Sequence, residues 1–229
     1  MHLLLTKFKQ YFSISEINID KKAVLVIVSA SVFLLFGEYY DSTHEVLKLI
    51  TNILGQPAAD AFAKATLNEY DYSFQNLFIW GLNCILVFLI LPAILIKLVL
   101  KEKLSDYGFQ LSGIRKHIWI YILLISIMVP IVFFVSKSPA FLNKYPFYHI
   151  TGSAQLQRFL VWEIIYMLQF ISIEFFFRGF LLHGLKHKFG YYSILIAVIP
   201  YCMIHFGKPI SETTGAIIAG IVLGFLSLN

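Results

Sequence analysis

Charged residues are scarce in this chain, because Asp, Glu, Lys and Arg make up 14% of its 229 residues. An average soluble domain carries about a quarter. Hydrophobic residues supply 59% of the sequence, aromatic residues 17%, and the mean hydropathy is +0.76. So few charges cannot cover a surface that faces water. The composition therefore excludes an ordinary soluble domain and predicts an integral membrane protein.

Cysteine is also rare, with Cys84 and Cys202 as its two occurrences. Both fall within apolar runs on different predicted spans, which predicts buried free thiols. The sequence has no Cys-x-x-Cys pair and no glycine-rich phosphate loop. We therefore expect no cysteine-built metal site and no ATP chemistry.

Six apolar runs predict an all-α fold, a polytopic transmembrane bundle with about six spans. The last two runs are short, as expected for helices that are buried in protein. The runs cover residues 23–37, 76–100, 118–135, 156–185, 193–206 and 216–228.

Three segments are expected along the chain. Residues 1–22 form a basic cytoplasmic segment, either an amphipathic helix on the membrane surface or a tail without regular structure. Residues 23–104 hold the first helices and a long acidic outer loop, in which Gly55-Gln-Pro57 and the following alanines predict a turn and a short helix. Residues 105–229 form the membrane core.

The distribution of Lys and Arg predicts the orientation, because positive residues collect in cytoplasmic loops. Lys7, Lys9, Lys21 and Lys22 precede the first run, whereas the loop 38–75 is mainly acidic. The N-terminus is therefore expected in the cytoplasm. The net charge of +5 is explained by this topology and by contact with anionic membrane lipid, so we expect no nucleic-acid partner.

The most informative feature is a carboxylate and a guanidinium within the fourth apolar run, in Glu174-Phe-Phe-Phe-Arg178-Gly179. A charge in hydrocarbon costs about 2.5–3.5 kcal/mol on insertion scales, so such residues usually face a protein interior. The i,i+4 spacing lets the two side chains meet. At 100° per residue, Glu163 falls on the same helix face as Glu174. The alternative is that the pair only neutralises itself and holds two helices together.

A second polar residue, His205, ends the next apolar run in Tyr201-Cys-Met-Ile-His205. A carboxylate and a histidine in a dry cavity are suited to activating water. A histidine at a helix end can equally be an interfacial residue with its hydrogen bonds satisfied. Its combination with Glu174 and Arg178 favours a functional site.

Taken in order, these motifs resemble the CPBP intramembrane metalloprotease family, which groups CAAX-prenyl endopeptidases with bacterial Abi proteins. The resemblance covers roughly residues 105–229. The motifs that carry it are Ser105-Asp-Tyr107-Gly108, Glu174 to Gly179, Tyr201 to His205, Lys208-Pro209, Glu212, and the small-residue helix from Gly215 to Gly224.

The resemblance implies an enzyme of the bacterial inner membrane that hydrolyses a peptide bond near the cytoplasmic side of the bilayer. Glu174 would act as base or orient water, Arg178 would fix Glu174, and His205 would bind a metal or stabilise the oxyanion. The implied cofactor is a divalent metal such as zinc, and the implied substrate is a membrane-associated peptide or protein.

The sequence departs from the family pattern in two places. The family motif is Glu-Glu-x-x-x-Arg, and alignment on Arg178 puts Ile173 where the first Glu, the usual candidate for activating water, would stand. The family also shows a later His-x-x-x-Asn, and no His follows His205 in this sequence. Two hypotheses follow: a divergent endopeptidase, or a catalytically inactive member that binds or scaffolds a membrane partner in export, maturation or immunity.

Overall fold

The computed structural model describes residues 19–66, 72–110, 114–150 and 152–228, and within these ranges the chain is helical with no strand. The predicted all-α class is confirmed. The predicted N-terminal surface segment falls mostly on residues 1–18, outside the described ranges, and the division at residue 105 stays a prediction. The α-helices are α1 (Lys21–Tyr39), α2 (Thr43–Leu54), α3 (Gln56–Thr66), α4 (Tyr72–Ile85), α5 (Leu91–Ile94), α6 (Ile114–Val135), α7 (Pro139–Leu142), α8 (Leu156–Glu174), α9 (Leu182–Phe189), α10 (Tyr192–Met203) and α11 (Ile210–Leu228).

Several of these helices are joined by wider π-helical turns into longer rods. Leu86–Ile90 and Leu95–Leu100 flank α5, where Pro92 supplies no N–H to the helical ladder. Phe175–Leu181 joins α8 to α9 and begins directly after Glu174. Short 3₁₀ turns occupy Leu104–Tyr107 and Ser153–Gln155.

Within the described ranges, five stretches are long and apolar enough to cross a membrane: Lys21–Tyr39, Phe74–Leu100, Ile118–Val135, Leu156–Phe189 and Ile210–Leu228. The fifth predicted run is shorter than expected, because α10 ends at Met203 and is followed by a turn. Its 12 residues span about 18 Å, less than the roughly 30 Å hydrocarbon core. Gly207, at φ 81°, and Pro209 keep the helix from continuing.

The long loop after α1 contains the turn and helix that its sequence predicts. Gly55, at φ 86°, ends α2, and α3 begins at the next residue. The glycine takes up a backbone conformation that other residues rarely adopt.

The core is built around the π-helical segment, whose seven residues are all buried. Phe176 and Phe180 pack against Phe33 of α1, and Phe176 also packs against Phe88. These aromatic contacts fix the helix that carries Glu174 and Arg178 at the centre of the bundle. A Cβ on Gly179 would lie 2.8 Å from the carbonyl oxygen of Tyr107, so glycine lets that loop approach the helix.

One end of the bundle, which we call the basic end, is identified by contacts between the start of α1 and two later segments. Lys22 Nζ lies 2.7 Å from Glu102 Oε2, and His187 Nε2 lies 2.8 Å from Asp20 Oδ2. Partial burial disfavours the charged carboxylate of Glu102, but hydrogen bonds from Lys22 and Tyr107 outweigh it and lower the pKa of Glu102. The basic end therefore comprises residues 20–22, 101–108 and 183–190.

The small residues of α11 let it approach α10 closely. Ala216, Gly220 and Gly224 are buried at a spacing of four. A Cβ on Gly224 would lie 2.7 Å from Ile194 Cγ2, and one on Gly220 would lie 2.9 Å from Val198 Cγ2. Close packing of small residues is a principal source of helix association in membranes.

Replacement of Gly224 with leucine should destabilise the bundle, because the new side chain would occupy space that Ile194 fills. We expect a loss of about 1–3 kcal/mol, the usual range for overpacking. Gly215→Leu is the matched control, since a Cβ there meets nothing within 4 Å. Thermal unfolding in detergent measures the effect. Equal midpoints for the two variants would contradict this account of the α10 and α11 contact.

Candidate functional site

A cavity of about 110 Å³ in the bundle is lined by two residues from different apolar runs that the sequence predicts to be functional, Glu174 and His205. We call it the central cavity, and it has room for about three water molecules. Ile173, at the place of the missing Glu, also lines it. The full lining is Leu34, Gly37, Glu38, Trp80, Cys84, Phe88, Tyr166, Gln169, Phe170, Ile173, Glu174, Tyr201, Ile204, His205 and Lys208.

The predicted ion pair between Glu174 and Arg178 is present. Arg178 Nη1 lies 3.2 Å from Glu174 Oε1, and the side chain of Arg178 is 9% exposed, against 44% for Glu174. The terminal nitrogens of Arg178 make no well-directed hydrogen bond among the described residues, so attraction between opposite charges holds the pair. Arg178 does not line the central cavity, and it contacts Glu174 from the other side.

Arg178 faces a second cavity of about 230 Å³, which we call the basic-end cavity. Its lining includes Tyr107, Glu174, Arg178 and Ser227, but not His205. Glu174 thus lies between the two cavities, and only the central cavity combines it with the histidine.

Tyr201 connects the ion pair to His205. The guanidinium carbon of Arg178 lies 3.8 Å from the centroid of the Tyr201 ring, a cation–π contact. The Tyr201 and His205 rings meet edge to face at 4.9 Å. His205 Nδ1 also lies 2.8 Å from the Tyr201 carbonyl oxygen. The aromatic residue four positions before the histidine therefore positions both the Arg and the His.

The hydrogen bond to Tyr201 assigns the tautomer of His205. A carbonyl oxygen only accepts, so Nδ1 carries the proton and Nε2 of the neutral ring has a free lone pair. That nitrogen can accept a proton or a hydrogen bond, or bind a metal, but it cannot donate to an oxyanion. Thr213 Oγ1 donates to the His205 carbonyl at 2.8 Å and holds the turn in place.

Three polar residues of the cavity were given no role by reasoning from sequence: Glu38, Gln169 and Lys208. Glu38 was interpreted as a flanking charge, and Lys208 was part of a motif without an assigned role. Only the folded bundle brings both into the lining of one cavity with Glu174. Gln169 lies one turn before Ile173, a spacing that could have revealed it. Its Nε2 donates to Cys84 Sγ at 3.3 Å, and its buried Oε1 has no hydrogen-bond partner among the described residues.

One expectation from sequence needs correction, and one residue falls outside the site. Glu163, on the same helix face as Glu174, is exposed and does not line the central cavity. Cys84 is a buried free thiol as predicted, whereas Cys202 is half-buried.

The residues present do not fit the catalytic zinc site that the resemblance implies. Such sites use three protein ligands. Among the described residues, no group of three or more His, Cys, Asp or Glu side chains could hold a metal ion. The role of His205 as a metal ligand stays a prediction.

Comparison with known families supports the resemblance found in the sequence. Residues 155–229, about the last third of the chain, match the family model described as Type II CAAX prenyl endopeptidase Rce1-like. This segment contains Glu174, Arg178 and His205. No curated protein and no solved structure gave a significant match. The match over residues 155–229 therefore supports the similarity to CPBP and CAAX prenyl endopeptidases that the sequence motifs indicate.

Proposed function

We propose that this integral membrane protein is an intramembrane endopeptidase that hydrolyses a peptide bond in a membrane-associated peptide or protein. The observation that carries the proposal is that Glu174, on α8, and His205, in the turn after α10, line one cavity. The family match over residues 155–229 supports the same reaction class.

In the proposed reaction Glu174 is the general base. A water molecule in the central cavity donates one hydrogen bond to His205 Nε2, which orients it, and gives a proton to the Glu174 carboxylate. The water oxygen then bonds to the peptide carbonyl carbon, and the electron pair of the C=O bond moves to oxygen. When the intermediate collapses, the C–N bond breaks and the leaving nitrogen takes the proton back from Glu174.

The charge that develops on the carbonyl oxygen needs a cation or donor nearby. Lys208 is the cation among the residues that line the central cavity, and its Nζ is held 2.8 Å from Glu212 Oε1. We assign it to the oxyanion. Arg178 is a positioning residue, because it contacts Glu174 and Tyr201 from outside the cavity lining.

A catalytically inactive subunit is the second candidate, and Ile173 is the observation that favours it. Its side chain lines the central cavity where the family carries a carboxylate. The polar residues of the cavity would then stabilise the fold of a subunit that binds a membrane partner in export, maturation or immunity.

We further propose that the membrane is the bacterial inner membrane, with the N-terminus in the cytoplasm. Lys21 and Lys22 begin α1 and lie at the basic end, where Lys101, Lys103 and Lys186 also lie. Positive flanks of this kind remain cytoplasmic during insertion.

Glu174→Gln should reduce cleavage by about 10²–10⁴-fold, because the amide cannot take the proton from water. The readout is tag release from a co-expressed library of single-span reporter peptides. Glu163→Gln, an exposed glutamate on the same helix, is the control and should cleave at the wild-type rate. Full activity of Glu174→Gln would rule out the proposed base.

Ile173→Glu distinguishes the enzyme from the inactive subunit. If the wild type is an enzyme, it releases tag from the same reporters, and the added carboxylate raises that release. Tag release by Ile173→Glu alone would favour the inactive-subunit alternative. Ile173→Gln matches the size without the charge, so an equal gain in that variant would show that a carboxylate is not the cause.

A further inference from the structure

We infer that the central cavity opens toward the extracytoplasmic side of the membrane and that the peptide substrate enters from that side. The inference rests on the proposed function and on the cytoplasmic N-terminus. It replaces the expectation that cleavage occurs near the cytoplasmic side.

Positive charge is concentrated at the helix ends that meet at the basic end. By sequence, eleven of the 18 Lys and Arg residues flank these helix ends, six flank the opposite ends, and Arg178 lies between. Loops this short follow the positive-inside rule. The eleven are Lys7, Lys9, Lys21, Lys22, Lys97, Lys101, Lys103, Arg115, Lys116, Lys186 and Lys188.

The first spanning helix places the central cavity far from this end. Its lining residues in α1 are Leu34, Gly37 and Glu38, in the last two turns of the helix. Leu34 follows Lys22 by twelve residues, about 18 Å along the axis. Since the hydrocarbon core is roughly 30 Å thick, the α1 side of the cavity lies in the half of the membrane away from Lys22.

On the other helices the cavity-lining residues lie at a similar distance from the basic end. Phe88 is the lining residue of the second span that is nearest the basic end, and it precedes Leu100 by twelve residues, again about 18 Å. Glu174 precedes His187 by thirteen residues, roughly 20 Å. The α10 helix begins just after Gly190, and His205 follows its far end.

Contacts beside His205 confirm which loop adjoins the cavity. Lys208 lines the cavity and pairs with Glu212, and the Tyr145 hydroxyl donates to Glu212 Oε2 at 2.8 Å. Tyr145 lies in the segment between Ile118–Val135 and α8, which the orientation places outside. Glu38 and Lys208 give this mouth one charge of each sign.

The basic-end cavity is the competing route, because Glu174 reaches it as well. Its lining lacks His205 and Lys208, so it offers neither the group that orients water nor the cation assigned to the oxyanion. The substrates that fit are therefore peptide segments exposed at the outer surface, such as the translocated part of an exported peptide or the outer end of a single-span protein.

Cysteine labelling tests the side directly and needs no activity. In a background with Cys84→Ser and Cys202→Ser, single Ser211→Cys and Ser105→Cys variants place the same substitution at exposed serines of opposite ends. A membrane-impermeant maleimide added to spheroplasts should label Ser211→Cys at least tenfold more than Ser105→Cys, and lysis should remove the difference. The reverse pattern would overturn the inference.

A second pair of variants tests which cavity the substrate uses. Glu38→Cys lines the central cavity and Phe109→Cys lines the basic-end cavity. In opened membranes, modification with a bulky maleimide should reduce reporter cleavage at least tenfold for Glu38→Cys and leave Phe109→Cys unchanged. Inhibition at position 109 alone would overturn the inference. Absence of cleavage by the wild type would instead overturn the proposed function, and the labelling result would still assign the side.

Discussion

The stacking of Arg178 on Tyr201, 3.8 Å from guanidinium to ring centroid, is the contact on which the site depends. Arg178 holds Glu174 by charge, and Tyr201 holds His205 through its carbonyl oxygen. The motif that contains Glu174 and the motif that contains His205 are therefore joined by the contact between the Arg178 guanidinium and the Tyr201 ring. A guanidinium suits this position because it is weakly hydrated for an ion and stacks on aromatic faces while remaining charged.

The surrounding fold supplies the two conditions that this contact requires. The π-helical segment after Glu174 buries all seven of its residues, which keeps Arg178 away from lipid. Gly220 and Gly224 let α11 pack closely against α10, the helix that carries Tyr201. This packing holds α10 beside the same core. A buried charge costs less free energy when an opposite charge pairs with it. Glu174 supplies the opposite charge for Arg178 without closing the central cavity.

Much of this arrangement is predictable from sequence. Apolar runs gave the helices, the i,i+4 spacing gave the ion pair, and the order of motifs gave the family. The run that includes Ile204 and His205 was predicted as one span, yet its helix ends at Met203, because apolar character alone does not locate a turn. Periodicity placed Glu163 on the same helix face as Glu174, but a shared face does not show which of its residues line the cavity. Glu38 was missed, and Lys208 was given no role, because their place in the cavity with Glu174 depends on packing between distant parts of the chain.

The central claim is that Glu174 and His205 act on one water molecule. The most direct measurement is reporter cleavage by Glu174→Gln, His205→Ala and the double variant. Groups that act as a unit are strongly non-additive, so the double variant should lose about as much activity as the more damaging single variant. A double loss equal to the product of the two single losses would show that the residues act independently, and would contradict the account.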